Sequence, residues 1–188
     1  RIDWNEVVDK SKLNYIMGNP PFVGASMMTK EQKAEAVAVF GKIKLSNSID
    51  YVGAWYHKAS ALMVGSHIRT AFVSTNSITQ GEQVFPLWDK ILHQYEMKID
   101  FAHRTFTWNS EAVDKAAVHC VIIGFSHNSV FREKTIFTDG RTSKADNINP
   151  YLCDAPDVLV SSRATPICNA PTACKGSMPI DNGNFIFS

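Results

Sequence analysis

Residues 13–22 read Leu-Asn-Tyr-Ile-Met-Gly-Asn-Pro-Pro-Phe, and this stretch shows where the first strand of the fold ends. Leu13 to Met17 is a short, mostly apolar run of the kind that forms strands. Gly18 and the two prolines stop it abruptly, because proline fixes its own φ and pushes the preceding residue out of the helical region. The strand therefore leads into a stiff, extended loop, Asn19-Pro20-Pro21-Phe22.

This loop is rich in hydrogen-bond acceptors and poor in donors. Pro20 and Pro21 have no N–H, so the side-chain oxygen of Asn19 and the backbone carbonyl of Pro20 remain as acceptors beside the ring of Phe22. Two acceptors next to a ring suit an exocyclic amino group, which offers two hydrogens and belongs to a base that can stack. The plain alternative is an Asn-Pro turn that only closes a strand.

Strands and helices alternate through the first two thirds of the chain, which predicts a layered α/β sheet with at least partly parallel strands. We expect helices at Thr29 to Phe40, Ile49 to Val64 and Phe85 to Tyr95, and further strands at Thr70 to Ser74, Met97 to Ala102 and Ala116 to Phe125. Ligands bind such sheets at the carboxyl ends of strands. The polar cluster Thr75-Asn76-Ser77 follows the second strand, so we expect it to face the same crevice as Asn19.

Composition indicates a folded protein without an obvious nucleic-acid footprint. The 188 residues are 45% hydrophobic and 20% charged, and 19 Lys and Arg against 18 Asp and Glu give a net charge of +1. The four cysteines, Cys120, Cys153, Cys168 and Cys174, form no CxxC pair and are expected to be free thiols. With neither a signal peptide nor a long apolar span in the sequence, a cytoplasmic location and no membrane partner are expected.

The motif and its neighbours resemble the N6-adenine DNA methyltransferases, which use S-adenosylmethionine. Asn19-Pro20-Pro21-Phe22 matches the NPP(Y/F) motif of that family, and residues 51–64, 70–83 and 99–125 are similar to its later motifs in the expected order. The pattern is most like the methyltransferase region of large single-chain type II restriction–modification enzymes. The resemblance implies methyl transfer from S-adenosylmethionine to the exocyclic amine of a flipped adenine, within a restriction–modification system.

The resemblance also assigns roles to residues. Asn19, Pro20 and Phe22 would be catalytic, with Asn19 and the Pro20 carbonyl holding the amino group and Phe22 stacking on one face of the base. Phe106 would contact the other face, with Trp108 as a second candidate. A core aromatic is the alternative for either ring. Asn19 would form an edge of the cofactor pocket, and no metal site is expected.

The composition changes beyond Ser126, where Asn, Ser, Thr, Asp and Pro become frequent, and together with the resemblance this change divides the chain into two expected parts. In that family a Gly-rich cofactor turn lies upstream of NPP(Y/F), and residues 1–18 do not contain it. We therefore expect residues 1–127 to form the C-terminal half of a Rossmann-like S-adenosylmethionine-dependent methyltransferase sheet. Residues 128–188 would form a linker and the start of a target-recognition region.

The chain is expected to be a piece of a longer protein, because it begins at Arg1 without a methionine and stops just after a strand-like run, Asn184 to Phe187. The expected partner of the complete protein is double-stranded DNA. A nuclease domain in the same parent chain is compatible with the resemblance.

Three other functions stay open at this point. The same motif serves enzymes that methylate ribosomal RNA and enzymes that methylate glutamine side chains in proteins, and a scaffold could keep the sheet without catalysis. The ring of Phe106 argues against a glutamine substrate, because an amide offers no ring to sandwich. The long tail after Phe125 argues against the ribosomal RNA enzymes, which usually end soon after the last strand.

The isolated chain is expected neither to bind S-adenosylmethionine tightly nor to methylate added DNA. Calorimetric titration with S-adenosylmethionine measures the binding. The reason is that only the Asn19 edge of the cofactor pocket is expected within these residues. A micromolar dissociation constant for the isolated chain would contradict this expectation.

Overall fold

A six-stranded mixed sheet carries the fold in the part of the chain that the computed structural model describes, residues 3–41, 48–108, 118–130, 133–163, 165, 168 and 169. The strands are β1 Tyr15–Gly18, β2 Arg69–Thr75, β3 Met97–Trp108, β4 Val118–His127, β5 Lys134–Thr138 and β6 Arg141–Ala145. The helices are α1 Trp4–Val7, α2 Lys30–Phe40, α3 Gly53–Met63 and α4 Val84–Asp89. Short 3-10 helices span Lys10–Lys12, Ala25–Met27, Asn76–Thr79 and Gly81–Gln83.

The order of the strands across the sheet is β1-β2-β4-β3-β5-β6. β1 is parallel to β2 and β3 is parallel to β5, whereas the other neighbouring pairs are antiparallel. The partly parallel sheet expected from the sequence is confirmed. Because β4 is antiparallel to both β2 and β3, the strands β1, β2 and β3 all point the same way. Their carboxyl ends therefore meet at one edge of the sheet.

Tyr56 of α3 joins the helices to the sheet. Its side chain is fully buried and its ring stacks on Phe125 of β4, with 5.4 Å between the ring centroids. Phe72 of β2 and Trp88 of α4 meet the same ring edge-on, at 5.2 and 5.7 Å. The Tyr56 hydroxyl is hydrogen-bonded to Ser74 Oγ over 2.8 Å. Burial raises the pKa of Tyr56, because the apolar surroundings disfavour the phenolate.

Local sequence signals set the bounds of two helices. The predicted start of α2 is confirmed by a capping box, in which Thr29 Oγ1 accepts from the Gln32 backbone N–H and the Gln32 side chain accepts from the Thr29 N–H. α4 is shorter than predicted and ends at Asp89, where a π-helical segment, Lys90–Gln94, continues it. Within the described residues, no helix has the length and apolar character that crossing a membrane requires.

The sheet extends further than the sequence analysis predicted. β3 continues beyond Ala102 to Trp108, and the hairpin of β5 and β6 adds to its outer edge. Asp139 and Gly140 turn this hairpin with positive φ values of 47° and 73°, which is the geometry that an Asp-Gly pair favours.

The boundary expected after residue 127 stays a prediction. The described residues do not include 116 and 117 of the predicted fourth strand, Cys174, or the strand-like run 184–187.

The segment after β6 packs back onto β3. Arg104 Nε donates a hydrogen bond of 2.8 Å to the carbonyl of Leu152, which is itself buried. At the other end of β3, Lys98 Nζ forms an ion pair of 2.5 Å with Asp157. Both contacts tie residues up to 157 to the same strand that carries Phe106.

The opposite face of the sheet opens onto a cavity of about 450 Å³. Its lining includes Tyr15 and Met17 of the edge strand β1, and their side chains are exposed by 58% and 75%. Phe101 of β3 and Phe137 of β5 line the far side of this cavity. The Phe101 ring lies directly over Gly124, where an added Cβ would come within 2.0 Å of it, so glycine is required at this point of β4.

Replacement of Tyr56 by Phe is expected to lower the free energy of unfolding by about 1–3 kcal/mol, because the buried Ser74 hydroxyl loses its partner. Urea denaturation followed by tryptophan fluorescence measures the change. Ser74→Ala added to Tyr56→Phe is expected to recover most of the loss, since no buried hydroxyl is then left unpaired. Tyr15→Phe, at an exposed position, is the control and is expected to change little. Additive losses in the double variant would contradict the assignment.

Candidate active site

The three polar and aromatic features singled out in the sequence lie at one edge of the sheet. Gly18 at the end of β1 pairs with Phe72, and the parallel strand β2 continues to Thr75. Thr75 lies opposite Cys120 of β4, which in turn lies opposite Phe106 of β3. Asn19, which follows Gly18, is therefore on the same edge as Thr75 and Phe106. The structure confirms the expected location at the carboxyl ends of strands.

Two acceptors at the start of the loop are free. Asn19 is exposed, and its carboxamide has no hydrogen-bond partner among the described residues. Pro20 is buried, and its carbonyl likewise accepts no hydrogen bond within the described part of the chain. The carbonyl of Pro21, in contrast, accepts from the Val23 N–H over 3.2 Å. The two acceptors without a hydrogen-bond partner are thus the Asn19 oxygen and the Pro20 carbonyl, the groups that the resemblance assigns to the amino group.

The bond from the Val23 N–H to the Pro21 carbonyl closes a tight turn around Phe22. The Phe22 side chain is half-buried, so one part of its ring contacts the protein and another part remains accessible. Val23 is held in turn, because its carbonyl accepts from the Tyr51 N–H over 2.9 Å. The aromatic ring therefore sits on a loop whose outgoing end is fixed.

A network centred on Asp50 connects the two polar clusters. Asp50 Oδ1 accepts from the Ala25 N–H over 2.9 Å, three residues after Phe22. Asp50 Oδ2 accepts from Ser77 Oγ over 2.5 Å, and Ser77 is also hydrogen-bonded to Thr75. The Ala25 N–H, six residues after Asn19, is thereby linked to Ser77 and Thr75 through Asp50. Asn19 itself takes no part in this network, and a crevice shared by Asn19 and the cluster Thr75 to Ser77 stays a prediction.

Gln83 completes the network. Its side-chain Nε2 donates to Asp50 Oδ2 over 3.2 Å, and its Oε1 accepts from the Asp50 backbone N–H over 3.1 Å. The sequence analysis overlooked both Asp50 and Gln83. An aspartate in the first turn of one predicted helix and a glutamine two residues before the next one are weak signals, since both residue types are ordinary at helix starts.

Phe106 and Trp108 lie at the end of β3 and are accessible. Phe106 is half-buried and meets His103 edge-on, with 4.8 Å between the ring centroids. Trp108 is 44% exposed and is tilted against Phe106 at 6.3 Å. Neither ring is a buried core aromatic. Three strand spacings separate β1 from β3, which places their backbones about 14 Å apart.

The described cavities are not lined by the candidate residues. The cavity of about 450 Å³ opens on the sheet face and is lined along β1 by Tyr15 and by Met17, which lies two residues before Asn19. Two smaller cavities, of about 170 and 320 Å³, lie beside α3 near Trp4. None of these three is lined by Asn19, Phe22 or Phe106, so the candidate site is an open edge within the described residues.

The chain is similar to a family of DNA-methyltransferase domains, to a DNA methyltransferase and to a restriction–modification enzyme. Residues 1–138 match the family described as "MmeI, DNA-methyltransferase domain". The chain is 39% identical over 190 residues to "DNA methyltransferase A" of Bacillus subtilis (strain 168), which covers 100% of this chain and 22% of that relative. It also matches a solved structure of the type IIL restriction–modification enzyme MmeI in complex with DNA, with a TM-score of 0.92 and 49% identity.

The match to the solved structure covers 100% of this chain and 26% of that protein. The chain therefore spans about a quarter of the length of both relatives. The structural likeness confirms the expected fold class, an α/β sheet that corresponds to part of a methyltransferase region.

Proposed function

The chain belongs to the MmeI DNA-methyltransferase domain family, and from that premise we propose that it carries the amine-binding part of an adenine-N6 DNA methyltransferase in a restriction–modification enzyme. The observation that carries the proposal is the pair of free acceptors, the Asn19 carboxamide oxygen and the Pro20 carbonyl, at the carboxyl end of β1. An adenine amine has two hydrogens to donate, and this pair takes both.

These acceptors activate the nitrogen by orienting it. The amine of adenine is a poor nucleophile in the plane of the ring, because its lone pair is delocalised. When Asn19 and Pro20 each hold one N–H, the lone pair is turned out of the plane and toward the methyl donor. Asn19 and Pro20 would hold the amine in this orientation while a bound S-adenosylmethionine supplied the methyl group, and the nitrogen would release one proton to solvent.

S-adenosylmethionine supplies the methyl group on a positively charged sulfur when it is bound. Asn19 fits one edge of such a site, because its unpartnered carboxamide stands at the end of an edge strand and is open to solvent. Asn19 would therefore border the site that holds the methyl donor.

Aromatic rings at the same edge provide stacking for the extruded base. Phe22 follows the acceptors directly, whereas Phe106 and Trp108 approach from β3. A base between two rings needs about 7 Å, which is less than the backbone separation of about 14 Å between β1 and β3. We therefore assign the first face of the base to Phe22, on the loop after β1, and the outer face to Phe106 of β3.

We propose that DNA is the substrate of the complete protein, following the names of its relatives, and that most phosphate contacts lie outside this chain. The net charge of +1 is too small to hold a duplex by counterion release alone. A nuclease in the same polypeptide is part of this proposal, as the restriction–modification relative suggests.

Asn19→Ala in the full-length protein is expected to lower the rate of methyl transfer by about 100-fold or more, because one of the two acceptors is lost. Mass spectrometry of nucleosides from the treated DNA measures N6-methyladenine. DNA affinity is expected to stay within about twofold, since Asn19 contacts only the amine. Asn14→Ala, at the opposite end of β1, is the matched control. A wild-type product other than N6-methyladenine would overturn the proposed specificity.

Phe22→Ala is expected to weaken transfer by the loss of a stacking contact of about 1–3 kcal/mol, and Phe22→Tyr is expected to retain most of the activity because it keeps the ring. Steady-state kinetics on a DNA duplex, with 2-aminopurine fluorescence at the target base, measure transfer and base extrusion separately. Equal activities for Phe22→Ala and the wild type would remove Phe22 from the site.

A further inference from the structure

The loop that presents the acceptors cannot hold itself in place through its own backbone donors. Pro20 and Pro21 lack N–H groups, so neither can be tied to the sheet by a main-chain hydrogen bond from its nitrogen. Within the described residues, the hydrogen bonds that tie the loop to another part of the chain come after Phe22, at the Val23 carbonyl and the Ala25 N–H. The position of the acceptors therefore depends on the groups that are hydrogen-bonded to the Val23 carbonyl and to the Ala25 N–H.

Both hydrogen-bond partners belong to the dipeptide Asp50-Tyr51. The Tyr51 N–H donates to the Val23 carbonyl over 2.9 Å, and the Asp50 carboxylate accepts from the Ala25 N–H over 2.9 Å. This dipeptide lies directly before α3, which the buried Tyr56 holds against the sheet. Because α3 is held against the sheet, the hydrogen bonds of Asp50 and Tyr51 hold the loop in a fixed position relative to this helix.

The Asp50 carboxylate is surrounded by donors. It accepts from the Ala25 N–H, from the Ser77 hydroxyl and from the side-chain amide of Gln83. A carboxylate is an acceptor only, so it satisfies three donors that an amide of the same size could satisfy only in part. Gln83 also accepts from the Asp50 N–H, which makes the contact between the two residues reciprocal.

We propose that Asp50 is a positioning residue, held in place by Gln83, which fixes the loop from Asn19 to Phe22 in the geometry needed for methyl transfer. The inference rests on the proposed function, because it concerns the amine-binding acceptors of that same site. Asp50 contacts Ala25, Ser77 and Gln83 rather than the reacting atoms. It acts through the loop, so its removal alters the orientation of the amine more than the binding of either substrate.

Because Asp50 is paired with Gln83, the carboxylate and the amide can be exchanged between the two residues. If Asp50 had only a general structural role, this exchange would not be expected to restore activity. In Asp50→Asn, the new NH2 points at donors that need an acceptor. In the double variant Asp50→Asn with Gln83→Glu, the Asn NH2 donates to the new carboxylate, and that carboxylate still accepts from the backbone N–H of residue 50. The contact between residues 50 and 83 is thus complementary again with the charge moved to residue 83, and the Ser77 hydroxyl can accept from the Asn NH2 and donate to Thr75.

The test uses the full-length protein and single-turnover methylation of a DNA duplex, with KM values for S-adenosylmethionine and DNA measured in parallel. Asp50→Asn is expected to lower the transfer rate by about 10- to 100-fold while both KM values stay within about twofold. The double variant is expected to recover at least about fivefold of that loss. Asp157→Asn, which removes a partly buried aspartate paired with Lys98 on the other side of the sheet, is expected to transfer at the wild-type rate.

The outcomes separate this inference from the proposed function. If the wild type forms N6-methyladenine and Asp50→Asn does so at the same rate, Asp50 does not position the loop. The same conclusion follows if the double variant is no better than the single one, or if Asp50→Asn raises both KM values and lowers the melting temperature. If the wild type forms no N6-methyladenine, the proposed function itself fails and the inference that rests on it fails with it.

Discussion

The stacked and edge-on contacts of Tyr56 are the constraint on which the rest of the structure depends. They hold α3 against β2 and β4, and the hydroxyl contact to Ser74 fixes the position of the helix along the strand. Because Asp50 and Tyr51 come just before α3, their location is set by this packing. The apolar core of the molecule and the polar loop at its edge are therefore parts of one arrangement.

The stiffness of the loop comes from its own residues, whereas its direction depends on residues that are distant in the sequence. Two prolines make it stiff and remove its donors, so the Asn19 and Pro20 oxygens are left without partners within the described residues. Stiffness alone does not determine direction, however. The direction comes from the hydrogen bonds at Val23 and Ala25, which lie beyond the prolines and connect to another part of the chain.

This division explains what the sequence could predict. Signals that act within a few residues, such as the proline loop after β1 and the capping box of Thr29 and Gln32, are visible in the sequence and were found in the structure. The partners of Asp50 are 25, 27 and 33 residues away, so no local pattern marks them. The Asp139-Gly140 turn was visible in principle, but the polar composition around it concealed the two short strands.

The pairing of β5 with β3 restricts bending of the chain between β4 and β5. β3 is bonded to β4 on one side and to β5 on the other, and Asp157 is anchored to it through Lys98. Bending at the change of composition near residue 128 would require several ladder hydrogen bonds to break together. The chain from β5 to Asp157 is therefore expected to move as one body with β3, so that Phe106 near the end of this strand keeps its position when the rest of the sheet moves.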